Sequence, residues 1–308
     1  MPPANTPTPT ATPNLICLSL SSRDSLQLIN APKHLWPPLL DAINAATNGT
    51  AVRTKYMDHQ NLNITLNGWP WENASLSKGV DARKILLAAF RTFDKMGYHF
   101  YGTVNLKGKT DSLFFICDER QPSELHQYCM ISLNQNDRLR LIDCPITVIN
   151  GVRDSIKALS KLKDERNLLI AHEFKLKGYP WMAGGSESVD ARLLVATILE
   201  KMASVGWPVL TSLDISRRAN NKSVFFLRST DRLSLSSTPS PSYFCISLNA
   251  TDKVRLINAP NQVVGTLRNV VGTNWGPGIG KSQEYFGSYE MKLNGNPWNT
   301  VTKDGLAA

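Results

Sequence analysis

The sequence predicts an α+β fold built from tandem repeats of about 110 residues, each ordered β-β-α-β-α-β-β, with a mainly antiparallel sheet covered by helices. Three observations predict it. The blocks ICLSLSSRDSLQLINAP (Ile16–Pro32), CMISLNQNDRLRLIDCP (Cys129–Pro145) and CISLNATDKVRLINAP (Cys245–Pro260) repeat one pattern, with Ser19, Ser132 and Ser247 at offsets of 113 and 115. Each block is followed by a Gly-x-Pro-Trp turn, closing on Trp71, Trp181 and Trp298. A long apolar stripe then recurs in the first two copies, Ala82, Leu86, Ala89, Phe93 and Met96 matching Ala191, Val195, Ile198, Met202 and Val205. The spacing is that of a whole domain, far above a solenoid repeat.

Each block reads as a β-hairpin, because apolar residues alternate on both sides of a polar turn holding Asp24, Asp137 or Asp252. Pro32, Pro145 and Pro260 lack a backbone donor, end the ladder and precede helices expected over 35–46, 148–162 and 262–271. One strand, 172–177 or 289–293, leads into the Gly-x-Pro-Trp turn, whose tryptophan is read as a buried anchor. The long helix follows, its apolar positions alternating by four and three so that one stripe faces a core. Asp81 and Asp190 are read as first-turn acids, Arg83 and Arg192 as neighbouring surface cations, and Gly97 and Gly206 as left-handed caps. A further strand pair, including 111–117 and 222–228, completes each unit; strand-helix-strand steps also leave a mixed sheet open.

The organisation expected is a Pro/Thr-rich tail over 1–13, units at 14–118 and 127–228, a Ser/Pro-rich linker at 229–242 and an incomplete third unit at 243–308. Where the third unit stops short of the long helix, exposed apolar surface between Val270 and Ala308 would invite association with another chain. No apolar run reaches the length of a membrane helix, and Met1–Pro13 has no secretory pattern. Five N-x-[ST] triplets therefore read as chance in an Asn-, Ser- and Thr-rich chain. Five cysteines without C-x-x-C spacing read as reduced, mostly buried thiols, which places the chain in the cytoplasm or nucleus.

A duplicated active site should duplicate its residues. His34, His59, His99, His126 and His172 have no histidine at their matched positions, so a repeated triad or metal site is not expected, and no catalytic residue, metal or cofactor is assigned. Gly276–Ser282 departs from a phosphate-binding loop at Trp275 and stands before a strand, so it reads as a connection.

Charge is the remaining signal, with a net charge of +9. Basic residues gather in the late hairpin, Lys107 and Lys109 in the first unit and Arg217, Arg218 and Lys222 in the second, near Phe114, Phe115, Phe225 and Phe226. The expected function is a non-catalytic tandem-repeat binding or scaffolding protein with a protein partner, using these five cations. One alternative is nucleic-acid or anionic-membrane binding through the same loops. Another is an enzyme with a site at a repeat interface.

Overall fold

The computed structural model describes residues 15–298 except 50, 51, 59, 73–75, 106–110, 119–125, 169, 217–221 and 231–241. Unit 1 runs β1 (Leu15–Ser21), β2 (Ser25–Ile29), α1 (Trp36–Ala46), β3 (Val52–Asp58), β4 (Asn61–Leu66), α2 (Leu76–Lys95), β5 (Tyr98–Val104), β6 (Ser112–Cys117). Unit 2 repeats this as β7 (Tyr128–Asn134), β8 (Arg138–Ile142), α3 (Ile146–Ala158), β9 (Leu162–Leu168), β10 (Ala171–Leu176), α4 (Glu187–Ser204), β11 (Val209–Leu213), β12 (Val224–Arg228). Unit 3 holds β13 (Cys245–Asn249), β14 (Lys253–Ile257), α5 (Asn261–Asn274), β15 (Ile279–Tyr285) and β16 (Ser288–Leu293).

All pairings are antiparallel, which removes the mixed-sheet alternative. The strand orders are β3-β4-β2-β1-β6-β5, β11-β12-β7-β8-β10-β9 and, in unit 3, β13-β14-β16-β15. The α+β repeat is therefore as expected, with one strand more per unit, β3, β9 or β15. The added strand is an outer edge, and in unit 2 it reads Leu-Lys-Asp-Glu-Arg-Asn-Leu with no residue fully buried. A strand whose two faces are both largely wet carries no period-two signal.

The Gly-x-Pro-Trp turn is a staple used three times. Trp71 Nε1 donates to Ser25 O at 3.0 Å, Trp181 Nε1 to Arg138 O at 2.9 Å and Trp298 Nε1 to Lys253 O at 3.4 Å. Each accepting carbonyl opens the second strand of its hairpin, so the indole locks the distant turn to the hairpin turn. Gly68, Gly178 and Gly295 have φ of 77°, 72° and 85°, which a side chain would strain.

The units stack. Helix α2 carries Ile85-Leu86-Leu87-Ala88-Ala89-Phe90, buried on every side, because it lies between its own sheet and the back of the sheet of unit 2. Phe90 shows the geometry, with ring centroids 5.1 Å from Phe115 of unit 1 and 4.6 Å from Phe226 of unit 2. Tyr128, Met130, Ile142, Val224 and Phe226 thus belong to the core of unit 1 although they lie in unit 2. The single stripe expected for this helix is half of its buried surface. Cys129, Ile131, Phe174, Leu194, Ile198 and Met202 form the core within unit 2, and unit 3 adds a small core of Val254, Leu256, Met291 and Leu293.

Gly97 and Gly206 have φ of 80° and 84°, the left-handed caps expected. Asp190 lies in the first turn of α4, but Asp81 does not lie in that of α2, which begins five residues earlier at Leu76.

Candidate binding surface

The polar residues that recur are used between layers. Across the back of each sheet runs one row in direct register: Ser19–Gln27–Asn63 in unit 1, Ser132–Arg140–Glu173 in unit 2 and Ser247–Arg255–Glu290 in unit 3. Glu173 is 2% exposed and receives Arg140 Nε at 2.8 Å, Arg138 Nη1 at 2.5 Å and Arg166 Nη2 at 2.6 Å. Glu290, equally buried, receives Arg255 Nε at 2.6 Å and Lys253 Nζ at 3.1 Å. Burial opposes ionisation of both carboxyls, yet the hydrogen bonds and charges of these cations outweigh it and hold both below the usual carboxylate range.

The preceding helix completes the rows of units 2 and 3. Arg83 of α2 donates to Ser132 Oγ at 3.0 Å and to Gly79 O at 2.6 Å, and Arg255 donates to Ser188 Oγ of α4 at 3.3 Å. Arg83 is therefore an interlayer residue and not a surface cation; burial first, then the Arg140 charge, pulls its pKa down to about 10. Among the described residues, the hydrogen bond of its counterpart Arg192 goes to Ser188 O within its own helix.

A groove of about 550 Å³ lies between α4 and β13, lined by Leu133, Trp181, Val195, Leu199, Phe244 and Ile246. Trp71 is buried as expected, whereas Trp181 is half-buried and forms a wall of this groove. Beyond it the inner face of unit 3 is open. Ile16, Leu18 and Leu20 are 0%, 0% and 3% exposed, and the matched Cys129 and Ile131 are 0% and 1%, but Phe244, Ile246 and Leu248 are 39%, 50% and 58% exposed. Val270, Phe286 and Trp298 are exposed as well, so apolar surface appears where the third unit's incompleteness predicts it.

The first junction carries a cluster found once. Buried Asp94 bonds His99 Nδ1 at 2.7 Å and His126 Nδ1 at 2.9 Å, with Tyr128 against the same carboxyl. It borders a cleft of about 750 Å³ lined by Arg91, His126, Tyr128, Asp143, Cys144 and Trp207. The two imidazoles tie the C-terminal end of α2 to β5 and to the approach to unit 2.

Lys107, Lys109, Arg217 and Arg218 lie outside the described residues. Lys222 is half-buried at the foot of β12 and engaged with a neighbour. The residues bounding the two basic segments meet, since Asp111 N donates to Asp214 O at 3.1 Å and Asp214 N to Asp111 Oδ2 at 2.7 Å. Phe115 and Phe226 are buried and Phe114 and Phe225 half-buried, as alternation along a strand requires. All five cysteines are free thiols; Cys129 is buried and the other four are half-buried, more open than expected. No helix among the described residues is long and apolar enough to cross a membrane.

The open face of unit 3 escaped sequence reading at the residue level, although the apolar run of β13 without a following long helix signalled it. The all-round apolar run of α2 signalled a sandwiched helix in the same way. One protein-family domain model matches the chain three times, over residues 14–116, 127–228 and 242–308. No curated protein and no solved structure matches it.

Proposed function

Because the chain belongs to the family defined by that thrice-matched domain, we propose that it is a non-catalytic tandem-repeat binding or scaffolding protein whose partner is another protein. One observation carries this reading: the polar groups that recur from unit to unit, the Ser–Arg–Glu rows and the tryptophan staples, are spent on stacking and locking the units. What the stack presents outward is apolar at the junction of units 2 and 3. Five free thiols favour a reducing compartment, the cytoplasm or nucleus.

A second reading is binding of nucleic acid or an anionic membrane through Lys107, Lys109, Arg217, Arg218 and Lys222. The contact between Asp111 and Asp214 favours it, because it joins the bases of two basic segments from successive units and would pool their charge. The test is quantitative capture from cell extract with the wild-type chain and with Arg217→Ala/Arg218→Ala/Lys222→Ala. Protein partners retained at about 0.5 M salt and lost by neither nuclease nor lipid removal support the first reading. Capture that collapses with salt and with the triple variant supports the second. Turnover of a substrate at the Asp94 cleft would contradict both.

A further inference from the structure

We propose that Cys144 and Cys129 form a peroxide-responsive modification site, in which Cys144 is oxidised from the cleft between units 1 and 2 and Cys129 resolves it to a reversible disulfide.

The internal repeat isolates the pair. The second strand of each hairpin ends at a residue in the left-handed region, Asn30, Asp143 or Asn258, with φ of 56°, 53° and 58°. The next residue turns inward and packs on its unit's core: Ala31 in unit 1, Cys144 in unit 2 and Ala259 in unit 3. The matched residues on the first strand of the hairpin are Ile16, Cys129 and Phe244. The fold thus asks for a small side chain near a larger apolar one, and units 1 and 3 supply alanine. Unit 2 alone places a thiol at both positions.

The geometry brings the two sulfurs together. Met130 pairs with Ile142 on the ladder, next along from Cys129, and Cys144 Sγ lies 3.3 Å from Met130 O and 3.6 Å from Ile142 O. The two thiols are within hydrogen-bonding reach of each other. A disulfide requires side chains that already converge, because its geometry tolerates little backbone movement. Cys17, Cys117 and Cys245 instead face Ile29, Tyr98 and Ile257 across their ladders.

Access assigns the roles. Cys144 is half-buried and lines the cleft of about 750 Å³ with Arg91, His126 and Asp143, which is wide enough to admit a hydroperoxide. Cys129 is 0% exposed, and burial, followed by the Cys144 thiol beside it, pushes its pKa well up, so Cys129 is the resolving thiol. In the first step the Cys144 thiolate attacks one peroxide oxygen. A sulfur–oxygen bond forms, the oxygen–oxygen bond breaks, and the peroxide is reduced to water or an alcohol as Cys144 becomes a sulfenic acid. In the second, the Cys129 sulfur attacks the Cys144 sulfur, the sulfur–oxygen bond breaks, and the Cys129 proton leaves with the hydroxyl as water. A thiol reductant restores both thiols by exchange, as a transient disulfide in a reducing compartment requires. Asp143, beside Cys144, receives Arg91 Nη1 of α2 at 3.0 Å, so the disulfide pins the base of the hairpin at the contact with unit 1.

This goes beyond the binding reading and is judged without any partner. The intact 308-residue chain is exposed to hydrogen peroxide, alkylated, digested with trypsin and read by mass spectrometry. The expected product is a crosslink between peptides 121–138 and 141–153, absent after dithiothreitol and formed at least about tenfold faster than any pairing through Cys17, Cys117 or Cys245. Cys129→Ser should halt the reaction at a Cys144 sulfenic acid that dimedone traps. Cys144→Ala, which installs the residue of units 1 and 3, should leave Cys129 a thiol. Cys144 and Cys129 remaining thiols while other cysteines oxidise, a Cys144 sulfenic acid that persists in the wild-type chain, or oxidation of Cys129 in Cys144→Ala at the wild-type rate would each overturn the proposal.

Discussion

Replacing Phe226 by Ala tests whether units 1 and 2 share one core. Phe226 lies on β12 of unit 2, is 0% exposed, and packs its ring 4.6 Å from that of Phe90 in unit 1. Truncating a fully buried phenylalanine costs about 3–5 kcal/mol, within which the aromatic pair accounts for about 0.5–1.5 kcal/mol. Each kcal/mol moves the melting point of a body of this size by about 2–4 °C, so a fall of roughly 6–20 °C is expected. Calorimetry should show one transition for units 1 and 2, and it should move as a whole. Amide exchange should quicken in β1 and β6 of unit 1 as well as in β7 and β12, because the cavity opens against α2. Two separate transitions, with only the one assigned to unit 2 displaced, would refute the shared core.

Substituting Glu173→Ala strands Arg138 and Arg140 in a buried layer and should cost roughly 3–5 kcal/mol in urea unfolding at pH 7. The folded-state pKa values of Glu173 and Glu290 are depressed, so their contribution is full above the unfolded carboxylate value, about 4.3, and fades as pH falls through the lower folded values. Wild-type stability should therefore drop more steeply than that of Glu173→Ala as the pH falls below the ordinary carboxylate range, and parallel pH curves would count against the network. Trp71→Phe keeps most of the buried ring but orphans Ser25 O, for an expected loss of about 1–3 kcal/mol by thermal melting. Arg83→Met should cost a similar amount by removing the buried donor of Ser132 Oγ, whereas Arg192→Met, whose bond stays within α4, should cost less than about 1 kcal/mol.

The repeat made most of the fold legible before any coordinates. Hairpins, proline-started helices and tryptophan turns follow from residues that recur, since each must solve the same local problem three times. The strands β3, β9 and β15 were not legible because wet edge strands lack alternation, as Leu162–Leu168 illustrates. The stacking was written in Ile85–Phe90, an apolar run wider than one face of a helix can use, but periodicity alone reports a stripe and hides the second partner. Arg83 read as a surface residue for the same reason: its acceptor Ser132 is 49 positions away, in the next layer. The basic residues were conspicuous in sequence because charge needs no fold to be counted. The open face was less so, because Ile246 and Leu248 look like ordinary core positions until their missing cover is seen.

The account turns on those matched positions. Hydroxyl-radical footprinting of the intact chain, read residue by residue by mass spectrometry, compares Ile16, Leu18 and Leu20 with Phe244, Ile246 and Leu248 under one set of conditions. A stack whose third unit presents its inner face should show strong modification at Phe244, Ile246 and Leu248 and protection at Ile16, Leu18 and Leu20. Equal protection of the two sets would mean that unit 3 is already covered, and the surface described here would not exist.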